Sequence, residues 1–336
     1  MILHPGIWSL MIGSGLVLLM LLYSSAIAVK IAVYWDYQSS TASQLSLERK
    51  TYLISVIVQF VLFFEIIAAL LFVYTIDDIH SLFIGAMCAT GVLNANPIGW
   101  SVLGVKILLF FVAACWLALN AVDHKSEEYP LTRLKYLALL FLLPLVGLDF
   151  YLQLRYFNGL QPEFITSCCG SLFSAAGNGV GSELAGLPIR MMMWFFYLTS
   201  FAFAVLALLS RKLDAGVLRY ILLLVSILWF FVALASIISF ISLYIYEIPT
   251  HHCPFDMFQA NYNYIGYPVY ICLFGAAYYG ILPGLFEPLK RMSSLSKIIR
   301  ESEKNSLAWA FFFLVCFVTI ISLPIVIGEF TLEGYY

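Results

Sequence analysis

The chain has 336 residues, of which 62% are hydrophobic and 11% charged, with a net charge of -2 and a mean hydropathy of +0.95. A soluble domain carries about a quarter charged residues, so this composition excludes a soluble globular protein and indicates an integral, multi-pass membrane protein. The nearly balanced charge gives no reason to expect a nucleic-acid partner.

Eight segments reach the roughly 20 mainly apolar residues that a membrane-spanning helix needs. We predict an all-α, polytopic membrane protein that forms a single domain over 1–336, with eight transmembrane helices in one bundle. The mixed-charge cytoplasmic connections 123–135 and 287–304 are expected to be simple anchors. The predicted spans are 7–33, 51–76, 99–121, 134–153, 189–209, 218–246, 263–285 and 306–328.

The basic residues predict the orientation. Fourteen of the 17 Lys and Arg residues fall in or beside one set of connections, while Arg155 and Arg190 alone fall in the other, and Lys106 lies inside the third span. Because flanking basic residues are retained in the cytoplasm, both termini are expected on the outer side of the membrane. The membrane itself is expected to be the cytoplasmic membrane of a prokaryote. Lys106 is expected to extend its ammonium group toward the outer interface. The predicted outer loops are 77–98, 154–188 and 247–262.

Four of the seven cysteines, Cys88, Cys168, Cys169 and Cys253, fall in these outer loops. The extracytoplasmic side is oxidising, so structural disulfides are one interpretation. The neighbours Cys168 and Cys169 have Cα atoms only about 3.8 Å apart, too close for an ordinary disulfide between them. They are therefore expected to reach different partners, or one stays reduced, and the pairing remains open.

A redox interpretation uses the same thiols. Cys88 and Cys253 would be the exchanging pair, and Cys168 and Cys169 the shuttle pair that resolves mixed disulfides. Electrons would pass between these outer thiols and a quinone dissolved in the bilayer, with His251 or His252 stabilising the thiolate of Cys253. The lack of a Cys-x-x-Cys motif, the usual redox spacing, argues against this interpretation.

A metal or haem interpretation competes for the same residues. Cys, His and Met are ligands for copper or zinc, so His251, His252, Cys253 and Met257 are a candidate metal set. Haem b held by His80 and one of His251 or His252 is an alternative cofactor site. The ligand spacing is typical of no particular metal.

Glu65 is the carboxylate nearest the middle of a predicted span. Ionisable groups inside a membrane are costly and face protein or water. Glu65 is therefore a candidate for proton handling or for a position beside a quinone, and a structural hydrogen-bonded group is the alternative.

Three classes of function follow from these patterns. The first is a membrane factor with an outer Cys/His cluster that handles thiols, electrons or a soft metal for extracytoplasmic or membrane protein partners. The second is a permease that moves a small solute and has only structural disulfides, and the third is a non-catalytic scaffold of a respiratory or export complex. The clustering of the cysteines favours the first, and whether the protein is an enzyme stays open.

Overall fold

The structure is a computed structural model that describes residues 4–35, 41–126, 128–161 and 180–332. Throughout these ranges the regular structure is helical, with eight helices long and apolar enough to cross a membrane. The predicted all-α membrane fold with eight spans is confirmed at this level, and the outward position of both termini stays a prediction.

The helices are numbered here in chain order. They are α1 (Pro5–Tyr34), α2 (Ala42–Asp78), α3 (Ala89–Asn94), α4 (Gly99–His124), α5 (Thr132–Asn158), α6 (Val180–Ala185), α7 (Ile189–Lys212), α8 (Gly216–Ser236), α9 (Ser242–Tyr246), α10 (Gly266–Phe286) and α11 (Ser293–Ile327). A π-helical turn, Ile237–Ile241, joins α8 to α9, so that the three together make one span. Short 3-10 turns lie at Ile79–Leu82, Asp256–Phe258, Ala260–Tyr262 and Glu287–Arg291.

The chain divides into two compact units. The first unit comprises Met1–Ile84, Val92–Phe164 and Met292–Ile298, and the second comprises Gly85–Gly91, Ile165–Arg291 and Ile299–Tyr336. The short segment Gly85–Gly91, which includes the first turn of α3, is thus grouped with the second unit although its neighbours in sequence belong to the first. The single domain predicted from the sequence stays a prediction.

The first unit is a four-helix bundle. Helix α1 packs against α2 and α5, and α4 packs against the same two helices. Apolar side chains fill much of the bundle, and a tyrosine and a tryptophan are among the polar groups that join helices across it. Tyr136 donates a hydrogen bond from Oη to the Thr51 carbonyl at 2.7 Å, and Trp116 donates one from Nε1 to the Lys135 carbonyl at 2.8 Å. Buried tyrosine and tryptophan side chains need such partners for their polar atoms.

The second unit is built around aromatic side chains. Helix α8 packs against α7 and α10, and the Phe317 ring of α11 lies 6.0 Å from the Phe196 ring and 5.4 Å from the Trp229 ring. Trp229 donates a hydrogen bond from Nε1 to Ser200 Oγ at 2.9 Å. These contacts place α7, α8 and α11 around one core.

Helix α11 begins at Ser293, well before the start of the predicted span at 306. The reason is an ion-pair network. Glu303 is 1% exposed and lies 3.2 Å from Arg219 Nε and 2.7 Å from Lys290 Nζ. A buried carboxylate needs charged partners, and these partners stabilise the helical form of a stretch that hydropathy does not identify as a span.

Two glycines of α10 bring it close to α8. A Cβ atom built on Gly284 would lie 2.8 Å from the Arg219 carbonyl oxygen and 2.7 Å from Leu223 Cβ, and one on Gly280 would lie 2.3 Å from Ser226 Oγ. Glycines four residues apart allow this close packing of membrane helices.

We therefore expect Gly284→Ala to destabilise the protein by about 1–3 kcal/mol, the usual cost of overpacking. The matched control is Gly104→Ala, because no atom lies within 4 Å of a Cβ built there. That variant should be neutral or gain up to about 1 kcal/mol from helix propensity. Thermal unfolding in detergent measures both variants, and equal stabilities would contradict the close packing of α10 on α8.

Candidate functional site

Two cysteines far apart in the sequence meet in the second unit. Cys88 Sγ and Cys253 Sγ lie 3.3 Å apart, and both residues are 0% exposed. This distance is longer than the roughly 2.05 Å of a disulfide bond, so the pair is in contact as two thiols. The pair, with Asp256 and His251, is called the thiol–carboxylate cluster below.

Asp256 joins the two thiols to a histidine. Its Oδ1 accepts a hydrogen bond from Cys253 Sγ at 3.3 Å, and Cys88 also donates to this carboxylate. Its Oδ2 pairs with His251 Nε2. The ligand atoms of Cys88, Cys253 and Asp256 all lie within 4.8 Å of one another, and no other group of three His, Cys, Asp or Glu residues in the described part of the chain is this close.

The electrostatics of the cluster centre on Asp256. Burial by itself would raise the pKa of this carboxyl, but hydrogen bonds from His251, Cys88 and Cys253 outweigh it and hold the pKa below its usual value. Asp256 is therefore a carboxylate at neutral pH. Because a like charge close by disfavours ionisation, we expect its charge to favour the thiol form of the two cysteines.

Two tyrosines fix the backbone beside Cys253. Tyr246 Oη donates to the Cys253 carbonyl at 2.6 Å and accepts a hydrogen bond from the Met257 amide at 2.9 Å. Tyr270 Oη donates to the Pro254 carbonyl at 3.0 Å. The tyrosines therefore hold in place the turn that carries both Cys253 and Asp256.

The π-helical turn anchors the other side of this loop. His252 is 5% exposed and donates a hydrogen bond from Nδ1 to the Ile238 carbonyl at 2.8 Å. A π-helical turn disturbs the regular i to i-4 ladder and often marks a functional site. Burial lowers the pKa of His252, although its hydrogen bond to Ile238 opposes the shift. His252 is therefore neutral at physiological pH and acts as a loop anchor.

The remaining residues that the sequence pointed to lie in other places. His80 belongs to the first unit, where its Nδ1 contacts the Asp77 carbonyl. Met257 is 0% exposed, and its side chain packs on Gly266. Glu65 lies in the first unit, on α2. Cys168 and Cys169 lie outside the described residues.

Asp256 and Tyr246 belong to this site but were not among the residues predicted from the sequence. Asp256 follows Cys253 by three residues, and the 3-10 turn Asp256–Phe258 places its carboxylate against the thiol. This Cys-x-x-Asp spacing was a usable signal. Tyr246 gave no such signal, because a tyrosine near the end of a span is typical of the membrane interface.

Comparisons with protein-family models, with curated proteins and with solved structures find no match to this chain. The geometry of the cluster is therefore the basis of the functional argument.

The buried state of His252 predicts a pH-dependent stability. Above its ordinary pKa of about 6.5 the ring is neutral whether the protein is folded or unfolded. As the pH falls below this value the unfolded chain gains a proton that the folded ring resists, so stability is lost until the lower folded pKa is reached. We expect the melting temperature of the native protein to fall between about pH 7 and pH 5. The contribution of His252 to the free energy of unfolding changes by at most about 1.4 kcal/mol per pH unit. His252→Asn should remove this contribution, so its melting temperature should fall less over the same range. Equal pH profiles for the two proteins would contradict this prediction.

The charge of Asp256 predicts how the thiols react. In Asp256→Asn the thiolate fraction of Cys88 and Cys253 should rise, and a small thiosulfonate reagent should modify them about tenfold faster at neutral pH, the equivalent of one pKa unit. The rate profile should shift to lower pH, whereas simple opening of the loop would raise the rate equally at every pH. Asp78→Asn is the matched control, because Asp78 is an exposed carboxylate paired with His4 in the first unit.

Proposed function

We propose that this protein is an integral membrane thiol redox factor in which Cys88 and Cys253 alternate between the dithiol and the disulfide. The contact of their sulfur atoms at 3.3 Å is the observation that carries the proposal. Only a short movement of one side chain separates this contact from a bond. The basic residues of the sequence support a position of the pair on the extracytoplasmic side.

The half-reaction releases two electrons and two protons as the sulfur–sulfur bond forms. A quinone in the bilayer is the proposed oxidant, since it takes up two electrons and two protons to become a quinol. Asp256 accepts the hydrogen bonds of both thiols and contacts His251, whose side chain is 21% exposed. The carboxylate and the imidazole thus give the released protons a route from the buried sulfur atoms toward solvent.

Exchange with protein partners needs a further step. Cys88 and Cys253 are both 0% exposed, so the thiol of a folded partner does not reach them in this conformation. We propose Cys168 and Cys169 as the shuttle pair. A thiolate of Cys168 or Cys169 would attack the Cys88–Cys253 disulfide to form a mixed disulfide, and a partner dithiol would resolve this by two exchanges, so that the partner becomes a disulfide and all the cysteines of the chain become thiols.

Binding of a soft metal is the second candidate function. The observation that favours it is the convergence of two thiols and a carboxylate within 4.8 Å. Zinc or copper(I) binds thiolates, and a bound cation would displace the thiol protons and offset the charge of Asp256. This donor set shares Cys253 with the set predicted from the sequence and adds Cys88 and Asp256.

The test is peptide mass spectrometry of the purified full chain after mild oxidation with diamide, alongside a metal assay and a visible spectrum. We expect a cross-link between the Cys88 and Cys253 peptides that a dithiol reductant reverses. Cys88→Ser should abolish it and Cys115→Ser, a change in α4, should leave it intact. A pair that stays reduced while zinc or copper copurifies at one ion per chain would favour the metal function instead. A reduced pair with no metal would contradict both.

A further inference from the structure

The first unit contains a buried polar layer that the thiol chemistry of the second unit does not use. Lys106 of α4 and Asp149 of α5 form an ion pair with Nζ 2.9 Å from Oδ2, and they are 2% and 1% exposed. The expectation that Lys106 extends to the interface is therefore wrong, because Asp149 holds its ammonium group inside the bundle. Lys106 also lies 5.5 Å from the centre of the Phe72 ring.

Glu65 of α2 belongs to the same layer. It is 2% exposed, and neither of its carboxyl oxygens has a hydrogen-bond partner. Lys106 and Asp149 are the charged groups that act on it. Asp149 Oδ1 also lacks a partner, as does Oε1 of Gln153, one turn along α5. The layer therefore presents unsatisfied oxygen acceptors to the inside of the bundle, and such groups are costly unless something binds to them.

The fourth helix adds no charge to this layer. Helix α1 contributes Ser14, whose Oγ lies 3.2 Å from Gln153 Nε2. The one Asp, Glu, Lys or Arg residue of α1 is Lys30, which is exposed. The titratable groups that face Glu65 are thus Lys106 from α4 and Asp149 from α5.

The charges of the three side chains indicate how many protons the layer binds. Two carboxylates and one ammonium group have a net charge of -1, and an uncompensated charge is expensive inside a membrane protein. One added proton makes the layer neutral. Because Asp149 already accepts the hydrogen bond of Lys106, we expect the added proton on Glu65.

We infer that Glu65, Lys106 and Asp149 form a binding site for one exchangeable proton inside the first unit, separate from the proposed thiol function. A cleft of about 390 Å³ lies at one end of this bundle, and the buried apolar residues Val58 and Leu62 lie along α2 between it and Glu65. Ser55, His124 and Lys135 are among its lining residues. Ser55 precedes Glu65 by ten residues on α2, which corresponds to a rise of about 15 Å.

The test is labelling of the purified full chain with a hydrophobic carbodiimide, which reacts with protonated carboxyl groups in apolar surroundings, followed by peptide mass spectrometry over a range of pH. We expect labelling of Glu65 that falls along a single-proton titration as the pH rises, and none in Glu65→Gln.

Two variants should shift this titration in opposite directions. Asp149→Asn leaves one carboxylate beside one ammonium group, so Glu65 no longer needs a proton and its labelling at neutral pH should fall at least about tenfold, one pKa unit. Lys106→Met removes the positive charge, so labelling should persist to higher pH. If these residues had only a structural role, the two variants would not shift the pH dependence of Glu65 labelling in opposite directions.

Size-exclusion profiles and thermal unfolding in detergent report whether each variant is folded. Shifts in the same direction for two folded variants, or labelling of the native protein that does not depend on pH, would overturn the inference. Protection by sodium at constant ionic strength would also overturn it, because the bound ion would then be sodium. If the thiol cross-link fails while the Glu65 titration is observed, the proposed thiol function is contradicted and the proton site is not.

Discussion

The cost of burying polar groups away from water explains most of the arrangement of this protein. In the first unit it pairs Lys106 with Asp149 instead of leaving the lysine at the membrane surface. In the second unit it surrounds the carboxylate of Asp256 with hydrogen-bond donors from two thiols and a histidine. Lys106 and Asp149 compensate each other, and the donors around Asp256 compensate its charge.

The thiol–carboxylate cluster shows how irregular backbone can support such a site. A π-helical turn receives the hydrogen bond of His252, and Tyr246 bonds to backbone groups on both sides of the Cys253 turn. Cys253 lies in the connection after α9, where no helix fixes the backbone. Its position therefore depends on these side-chain hydrogen bonds. Anchoring of this kind is what a redox pair needs, since small changes in the distance between two sulfur atoms decide whether they can bond.

The two polar sites differ in how their charge is compensated. Asp256 has His251, a partner whose own side chain is partly exposed, and protons can therefore exchange with solvent at the cluster. Glu65 is almost fully buried, and its neighbouring ammonium group is already bonded to Asp149. The first arrangement suits the release of protons in the proposed thiol oxidation, and the second suits the proposed binding of one proton inside the bundle.

The sequence by itself determined the eight spans, because about 20 apolar residues in a row have no stable place in water. It also singled out Cys88, Cys253, His251 and Glu65, since thiols, imidazoles and buried carboxylates are chemically distinctive. Only the tertiary structure brought Cys88 to Cys253 and added Asp256 to them, because contacts across 165 residues of chain leave no local pattern. The pairing of Lys106 and the helical form of 293–305 were likewise decided by partners on other helices, which hydropathy does not register.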